Sequence, residues 1–367
     1  MHQLPGICAV APNSIPVCDD GVDCTPDHDA CSDAVACTVN TCDKTVGCTF
    51  PPNNLLCNDN VACTVDTCDA AAGCKFSPNN GLCNDNNGCT ACYQTGCTNG
   101  KCLVTPGSFW MGCNLAVDSQ CYASEYPYHE VILDAYYVDE LEVKASDFAN
   151  FLKTNNNNCG TVCMTDGQAG ANVIKSGGVW QAASGKGNYP ANMVTWGGAW
   201  NYCTWVGKRM CTEAEWEKAA RGTDGRKYPW GNSQLDCNHA ALGSIGAAGC
   251  PTNQLPVGSK PLGASPYGAK DMLGNILEWV EDDFICNFYC KGNGGSNNVD
   301  HNCSCAGLNP YQNPWYDPLG FIMGQNQVGR GGHTTTTNTA NLRVSARYPV
   351  DGSVGDYNRG IRCCDDL

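Results

Sequence analysis

The sequence predicts an α+β domain built from short helices and antiparallel strands, preceded by a disulfide-rich repeat stalk. Three observations carry its stalk and its helices. The 30 cysteines fall into two even sets, sixteen from Cys8 to Cys102 and fourteen from Cys113 to Cys364. The first set recurs with a fixed period, and behind it two short capped helical segments flank a turn at Gly207–Cys211. Even counts are what complete pairing within each part requires. Thirty cysteines are hard to keep reduced in a cytosol, so the chain is expected to be secreted, extracellular or displayed at a cell surface.

Residues 1–17 read as an N-terminal tail. The opening text MHQLPGICAV has neither the basic start nor the apolar core of a signal peptide, so the expectation is a mature or trimmed chain. Residues 18–104 form the repeat region. Cys31, Cys57 and Cys83 are in register at a spacing of 26 residues, as are Cys37, Cys63 and Cys89, while Cys42 matches Cys68 and Cys48 matches Cys74. Asp43 and Asp69 each follow a cysteine, and Gly47 and Gly73 each precede one. Large apolar residues are few here, chiefly Phe50, Phe76 and Tyr93, so disulfides worth roughly 2 to 5 kcal/mol each must stand in for a hydrophobic core. Units stacked in register favour a rod over a globule. Asp59, Asp66 and Asp69 are read as Asx-turn residues that shape the loops rather than as calcium ligands. This text resembles the short cysteine-rich repeats of slime-mould matrix proteins and of some secreted bacterial proteins.

Residues 105–367 form the second domain. Thr212 and Glu215 have capping-box spacing ahead of Trp216, Ala219 and Ala220, and Gly222 closes that helix. Thr195 is placed to cap a helix through Ala199, Trp200 and Cys203 that ends near Gly207. The stretch from Met193 to Gly231, MVTWGGAWNYCTWVGKRMCTEAEWEKAARGTDGRKYPWG, resembles the signature block of the formylglycine-generating enzyme family, also called the sulfatase-modifying-factor family. Further matches follow in order: PGSFWMG from Pro106, EYPYHEVILDAYYVDELEV from Glu125, the helix with Phe148 and Phe151, PVGSKPLGASPYGAKDMLGNILEW from Pro256, VGRGGH from Val328, then Arg343, Arg347 and GIR from Gly360. The resemblance implies an irregular fold of the C-type-lectin type. It makes the two stretches after Pro106 and Glu125 strands, in which His129 is a structural residue.

The same resemblance implies ion sites. In DMLGNILEW the family places calcium on Asp271, Gly274, Ile276 and Glu278, and two carboxylates with two backbone carbonyls suit that hard cation. A second calcium site begins at Asn238 and His239, but no acid follows in GAAGCPTNQ, and Cys237 and Cys250 bracket the loop. Family disulfides imply a Cys203–Cys363 bond, while a second family pair, near Ala220 and Val344, is missing at both positions together. Cys211 is then a candidate partner for Cys364. Neighbouring pairings of Cys113 with Cys121 and of Cys159 with Cys163 are plausible, although sequence alone does not fix connectivity.

The catalytic residues are where this chain departs from the family. Its enzymes oxidise a substrate cysteine to formylglycine with a pair of cysteines that bind copper, shortly after the motif read here as RGGH. Thr336 and Thr339 fall at about those positions, and no cysteine lies between Cys305 and Cys363. Soft thiolates select Cu(I) and hydroxyls do not replace them, so no copper is expected. Iron-dependent relatives rely on histidines, and the six present here form no recognisable metal set.

The reading is therefore a calcium-stabilised, non-catalytic binding or structural protein, possessing the frame of an enzyme. The alternative is a formylglycine-generating oxidoreductase or a related metal-dependent oxidase. The candidate ligand face is His333, Thr336, Thr339, Asn341 and Trp315, beside the Asn/Gly-rich insertion from Cys286 to Gln327, where Asn302-Cys303-Ser304 forms a sequon. Expected partners are an extracellular protein or glycan, or a second copy of the chain. A formal charge of −15 argues against nucleic acid and anionic membranes. No apolar run reaches the roughly 18 residues of a membrane span, so no membrane insertion is expected.

Overall fold

The computed structural model describes residues 97–243, 250–284 and 326–367, together with residues 41–43, 47–49, 52–54, 64–69, 73–78 and 315–316. The chain divides into two compact units, Met1–Gln94 and Thr95–Leu367.

In the first unit the repeat text becomes hairpins. Strand β1 (Thr41–Asp43) pairs antiparallel with β2 (Gly47–Thr49), with Cys42 opposite Cys48. One period later β3 (Thr64–Asp69) pairs with β4 (Gly73–Pro78), with Cys68 opposite Cys74 and both cysteines disulfide-bonded. The Cys-Asp-x-x-x-Gly-Cys text is thus the tip of each hairpin, its Asp facing its Gly at the end of the ladder.

The second unit begins earlier than the sequence boundary at 104/105. Strands β5 (Cys97–Thr98) and β6 (Lys101–Val104) form a hairpin closed by a Cys97–Cys102 disulfide. The Asn99-Gly100 turn, with φ of 54° and 77°, supplies the left-handed pair that a two-residue hairpin loop requires. Beyond it β6 pairs with β9 (Tyr136–Asp139). The cysteine-rich spacing therefore runs past the real boundary, because its last hairpin belongs to the next domain's sheet.

Three sheets frame this domain. The five-stranded one has the order β12-β18-β9-β6-β5, where β12 is Arg209–Met210 and β18 is Cys363–Asp366. A four-stranded sheet runs β16 (Tyr348–Val350), β15 (Gln327–Arg330), β13 (Leu277–Asp283) and β17 (Arg359–Ile361), with β13 and β17 parallel. The third joins β7 (Gly107–Met111), β8 (His129–Leu133) and β14 (Trp315–Tyr316). A separate hairpin, β10 (Val173–Ser176) with β11 (Val179–Ala182), packs on helix α1 (Ala145–Asn155).

The two capped helices form as the sequence indicates. In α2 (Trp196–Trp205) the Thr195 hydroxyl accepts from Gly198 N at 2.9 Å. Gly198 is required there: a Cβ at that position would lie 1.9 Å from the Cys163 carbonyl oxygen. In α3 (Glu213–Arg221) the Thr212–Glu215 capping box is complete and Gly222 ends the helix. Helix α3 differs from its amphipathic pattern in one respect: all nine residues are buried, charged ones included. Its apolar residues Ala214, Trp216, Ala219 and Ala220 enter one core with Phe109, Val131, Tyr136 and Val344. Ala220 and Val344, where the family pair of cysteines is missing, are both fully buried in that core, so apolar packing occupies the place of the bond. A second core gathers α1, α2, Trp180, Trp279 and Ile361.

Candidate functional site

Strand β15 ends at Arg330, and two left-handed glycines, Gly331 and Gly332 at φ 88° and 67°, turn the chain into the segment 333–341. Thr336 points inward: it is 4 % exposed, and its hydroxyl accepts from His333 N at 3.1 Å. The His333 ring bonds the Thr335 hydroxyl at 3.0 Å, and burial holds its imidazole below the usual range. Asn338 caps a single 3-10 turn at Thr339–Asn341 by accepting from Ala340 N. Exposed Thr339 accepts from Gln120 Nε2 at 3.3 Å, and Asn338 donates to the Tyr122 hydroxyl at 3.0 Å. Asn341 donates from its backbone N to the Asn338 carbonyl.

His333, Thr336, Thr339 and Asn341 therefore share one turn, buttressed by the loop that carries Gln120 and Tyr122. Trp315 lies apart from them in sequence and in strand, its backbone paired with Val131 in β14. Most of the 286–327 insertion, including the sequon and Cys286, Cys290, Cys303 and Cys305, lies outside the described residues. The donor set at the turn is hydroxyl, amide and imidazole. It does not fit Cu(I), and every described cysteine of this domain is in a disulfide.

The disulfides are Cys97–Cys102, Cys113–Cys121, Cys159–Cys163, Cys203–Cys363, Cys211–Cys364 and Cys237–Cys250. The last of these closes the loop where a second ion was expected. Asn238 N and His239 N both donate to Asp236 Oδ1, and the His239 ring pairs with the same oxygen and stacks on Trp230. Those two residues are used in a local turn around Asp236, and no third acid or histidine joins them among the described residues.

The first expected ion set lies among buried carboxylates. The Glu278 carboxylate takes three bonds from the Arg362 guanidinium at 2.8 to 3.1 Å and one from Trp216 Nε1 at 2.6 Å. Asp271 sits at φ 57°, and its Oδ2 accepts from Gly258 N. Burial pushes the Asp271 carboxyl up. Glu142, absent from the expected set, is 2 % exposed, and its Oε1 has no hydrogen-bond partner while Oε2 accepts from Asn275 Nδ2 at 2.6 Å. Burial, then the Asp271 and Glu278 carboxylates, push the Glu142 carboxyl well above the ordinary range. Three buried carboxylates thus surround one buried guanidinium, an excess of negative charge suited to a divalent cation.

Sequence reasoning also missed a buried ion network. Arg330 bonds Glu217 and Glu213, Arg347 grips Glu213 at 2.6 and 2.7 Å, and Arg343 grips Glu125 and Asp118. Each of these arginines is at most 4 % exposed. The three acids in TEAEWEKAAR read as readily as a solvated helix face, so the text held no signal for the network.

The comparisons with known proteins agree with this frame. Residues 92–367 match the family described as the sulfatase-modifying factor enzyme 1-like domain. The formylglycine-generating enzyme of Streptomyces coelicolor is 28% identical over 312 residues, covering 73% of this chain and 90% of that protein. That of Mus musculus is 30% identical over 285 residues, covering 66% of this chain and 69% of the relative. Among solved structures, PvdO from Pseudomonas aeruginosa superposes with a TM-score of 0.52 at 22% identity, over 73% of this chain and 94% of that one, a likeness of fold. The chain belongs to the sulfatase-modifying factor enzyme 1-like domain family, on a C-type-lectin-like frame.

Proposed function

We propose that this chain is a secreted, disulfide-stapled member of its family that binds rather than oxidises. The observation that carries this is that no cysteine falls between Cys305 and Cys363, where the family resemblance implies a copper-binding pair, with Thr336 and Thr339 close to the implied positions in a segment about two residues shorter. A pair of hydroxyls held by His333 N and Gln120 supplies neither a thiolate ligand nor a thiol nucleophile. What the turn offers instead is hydrogen-bonding chemistry on a braced surface: exposed Thr335, Thr337, Asn338 and Thr339 beside His333. Loops on a rigid frame are where binding usually resides. The partner class is an extracellular protein or glycan, or another copy of the chain, and the repeat hairpins serve as a spacer. No helix among the described residues is long and apolar enough to cross a membrane.

The test is incubation of the intact protein with Cu(I), air and a cysteine-containing peptide. A formylglycine-generating relative serves as the positive control, and the peptide is weighed by mass spectrometry. No conversion and no stoichiometric Cu(I) uptake are expected. Formylglycine in the peptide would sink the reading.

Calcium belongs to the same proposal, with Glu142 joined to Asp271 and the carbonyls of Gly274 and Ile276. When bound, the ion neutralises the buried excess of carboxylate. At a hundredfold excess over its dissociation constant a ligand stabilises by about 2.7 kcal/mol. Chelation is therefore expected to lower the melting temperature of the C-terminal domain and added calcium to restore it, and Glu142→Gln should shrink that difference. An unchanged melting temperature on chelation rejects the ion.

A further inference from the structure

Beside the turn at 333–341 lies one disulfide whose two sulfurs differ sharply in surroundings. Cys113 is 1 % exposed and Cys121 is half-buried, in a loop whose intervening residues Leu115, Ala116 and Val117 face solvent. Arg343 Nη1 points at the Cys113 sulfur from 3.4 Å. Both neighbours of Cys121 are tied to the candidate ligand face, Gln120 to Thr339 and Tyr122 to Asn338. Cys121, the more exposed residue of the pair, thus borders that face, and the buried sulfur sits under a cation.

We propose that Cys113–Cys121 is a thiol–disulfide exchange site, in which a cysteine thiolate from a partner protein attacks Cys121 and expels Cys113 as the thiolate. In the step, the S–S bond between Cys113 and Cys121 breaks and a bond forms between the incoming sulfur and Cys121. The electron pair of the broken bond leaves on Cys113, and no outside oxidant or reductant is needed. A second thiolate on the partner, attacking its own mixed disulfide, would release Cys121 and carry away a disulfide, leaving this chain with the dithiol.

The direction follows from the surroundings. Exchange is faster at an accessible sulfur and when the departing thiol has a low pKa, and a neighbouring Arg lowers it. Two charged groups lie against the Cys113 sulfur, Arg343 Nη1 at 3.4 Å and Asp118 Oδ2 at 3.5 Å, and Glu125 and Lys227 pair with those two in turn. Asp118 opposes the thiolate, but it is held by Arg343 at 2.8 Å and Lys227 at 3.2 Å, and Glu125 accepts from Arg343 as well. The anions near the departing sulfur are therefore already paired, while an Arg343 N–H points at it.

Cys159–Cys163 is the internal control. It is also short, with one half-buried and one buried sulfur, but a neutral amide, Asn155 Nδ2, faces both sulfurs. The native protein is treated with limiting glutathione in one arm and a cysteine-containing peptide in the other, quenched with acid, alkylated and mapped by mass spectrometry. The expected result is an adduct on Cys121 with Cys113 as the free thiol, formed at least about tenfold faster than opening of Cys159–Cys163. An adduct on Cys113, or opening no faster than the control, overturns the proposal. A peptide that reacts faster than glutathione at equal thiolate concentration supports a protein cysteine as substrate, and a faster glutathione arm overturns that assignment. In Cys121→Ser, the pH midpoint of Cys113 alkylation should fall below the ordinary value of about 8.5. A midpoint at or above that value removes the leaving-group argument.

Discussion

Replacing Cys203 and Cys363 together by alanine is expected to lower the stability of the C-terminal domain by about 3 kcal/mol. The bond spans 160 residues and joins α2 to β18. In the chain-entropy account the cost grows with the logarithm of the loop freed, and because Cys211–Cys364 still joins the same two segments, the loop freed is the short ring through residues 203–211 and 363–364. Both sulfurs are fully buried in the core with Phe148, Tyr202 and Trp279. Two alanines there add a small apolar void to the entropic loss. Urea unfolding of the double variant, followed by tryptophan fluorescence, reads the change. A loss below about 1 kcal/mol would show that native packing, not the covalent tie, fixes the C-terminal strand.

Glu217→Ala is the second large effect, with an expected cost of about 3 to 5 kcal/mol, the range for breaking a buried pair by removing one partner. Glu217 is 1 % exposed and accepts from Gly112 N at 2.8 Å, from Arg330 and from Arg221 at 3.3 Å. Its loss leaves a fully buried guanidinium short of a counter-charge, with a backbone donor also unmet. The contrast is Asp366→Ala, which removes a partner of Arg209 whose side chain is 80% exposed. That change is expected to stay within about 0.5 kcal/mol. Equal effects from the two variants would reject the buried network as a determinant of stability.

The parts legible in the sequence are those with a local cause. The capping box at Thr212 needs only residues three apart, so it is visible in the text, whereas the 26-residue register of the repeats showed a period without showing the hairpins. The frame was legible through the resemblance of Met193–Gly231 and its ordered companions. Non-local pairings were not. Nothing near Glu142 in sequence announces that it lies by Asp271, and nothing in DMLGNILEW shows that Glu278 accepts from Arg362. The division of the chain at Thr95 was not legible for a related reason: Cys97 and Cys102 continue the cysteine spacing, while the strand of Cys102 pairs with Tyr136–Asp139. At the turn after His333 the sequence shows only the identities of Thr336 and Thr339. That Gln120 and Tyr122 brace them is a fact of the folded chain alone.

The adjacent cysteines on β18 set a timetable for the protein's maturation. Cys363 and Cys364 point to opposite sides of one strand, into separate cores, and reach back to Cys203 and Cys211 across 160 and 153 residues. Because each lies more than 150 residues after its partner, neither bond can be made until that whole span has been synthesised. Throughout that interval two older thiols wait among a dozen other cysteines of the domain. An oxidising compartment alone does not suffice for such a chain. It needs a catalyst that undoes premature pairs, and a host lacking a disulfide isomerase should yield the protein as scrambled isomers.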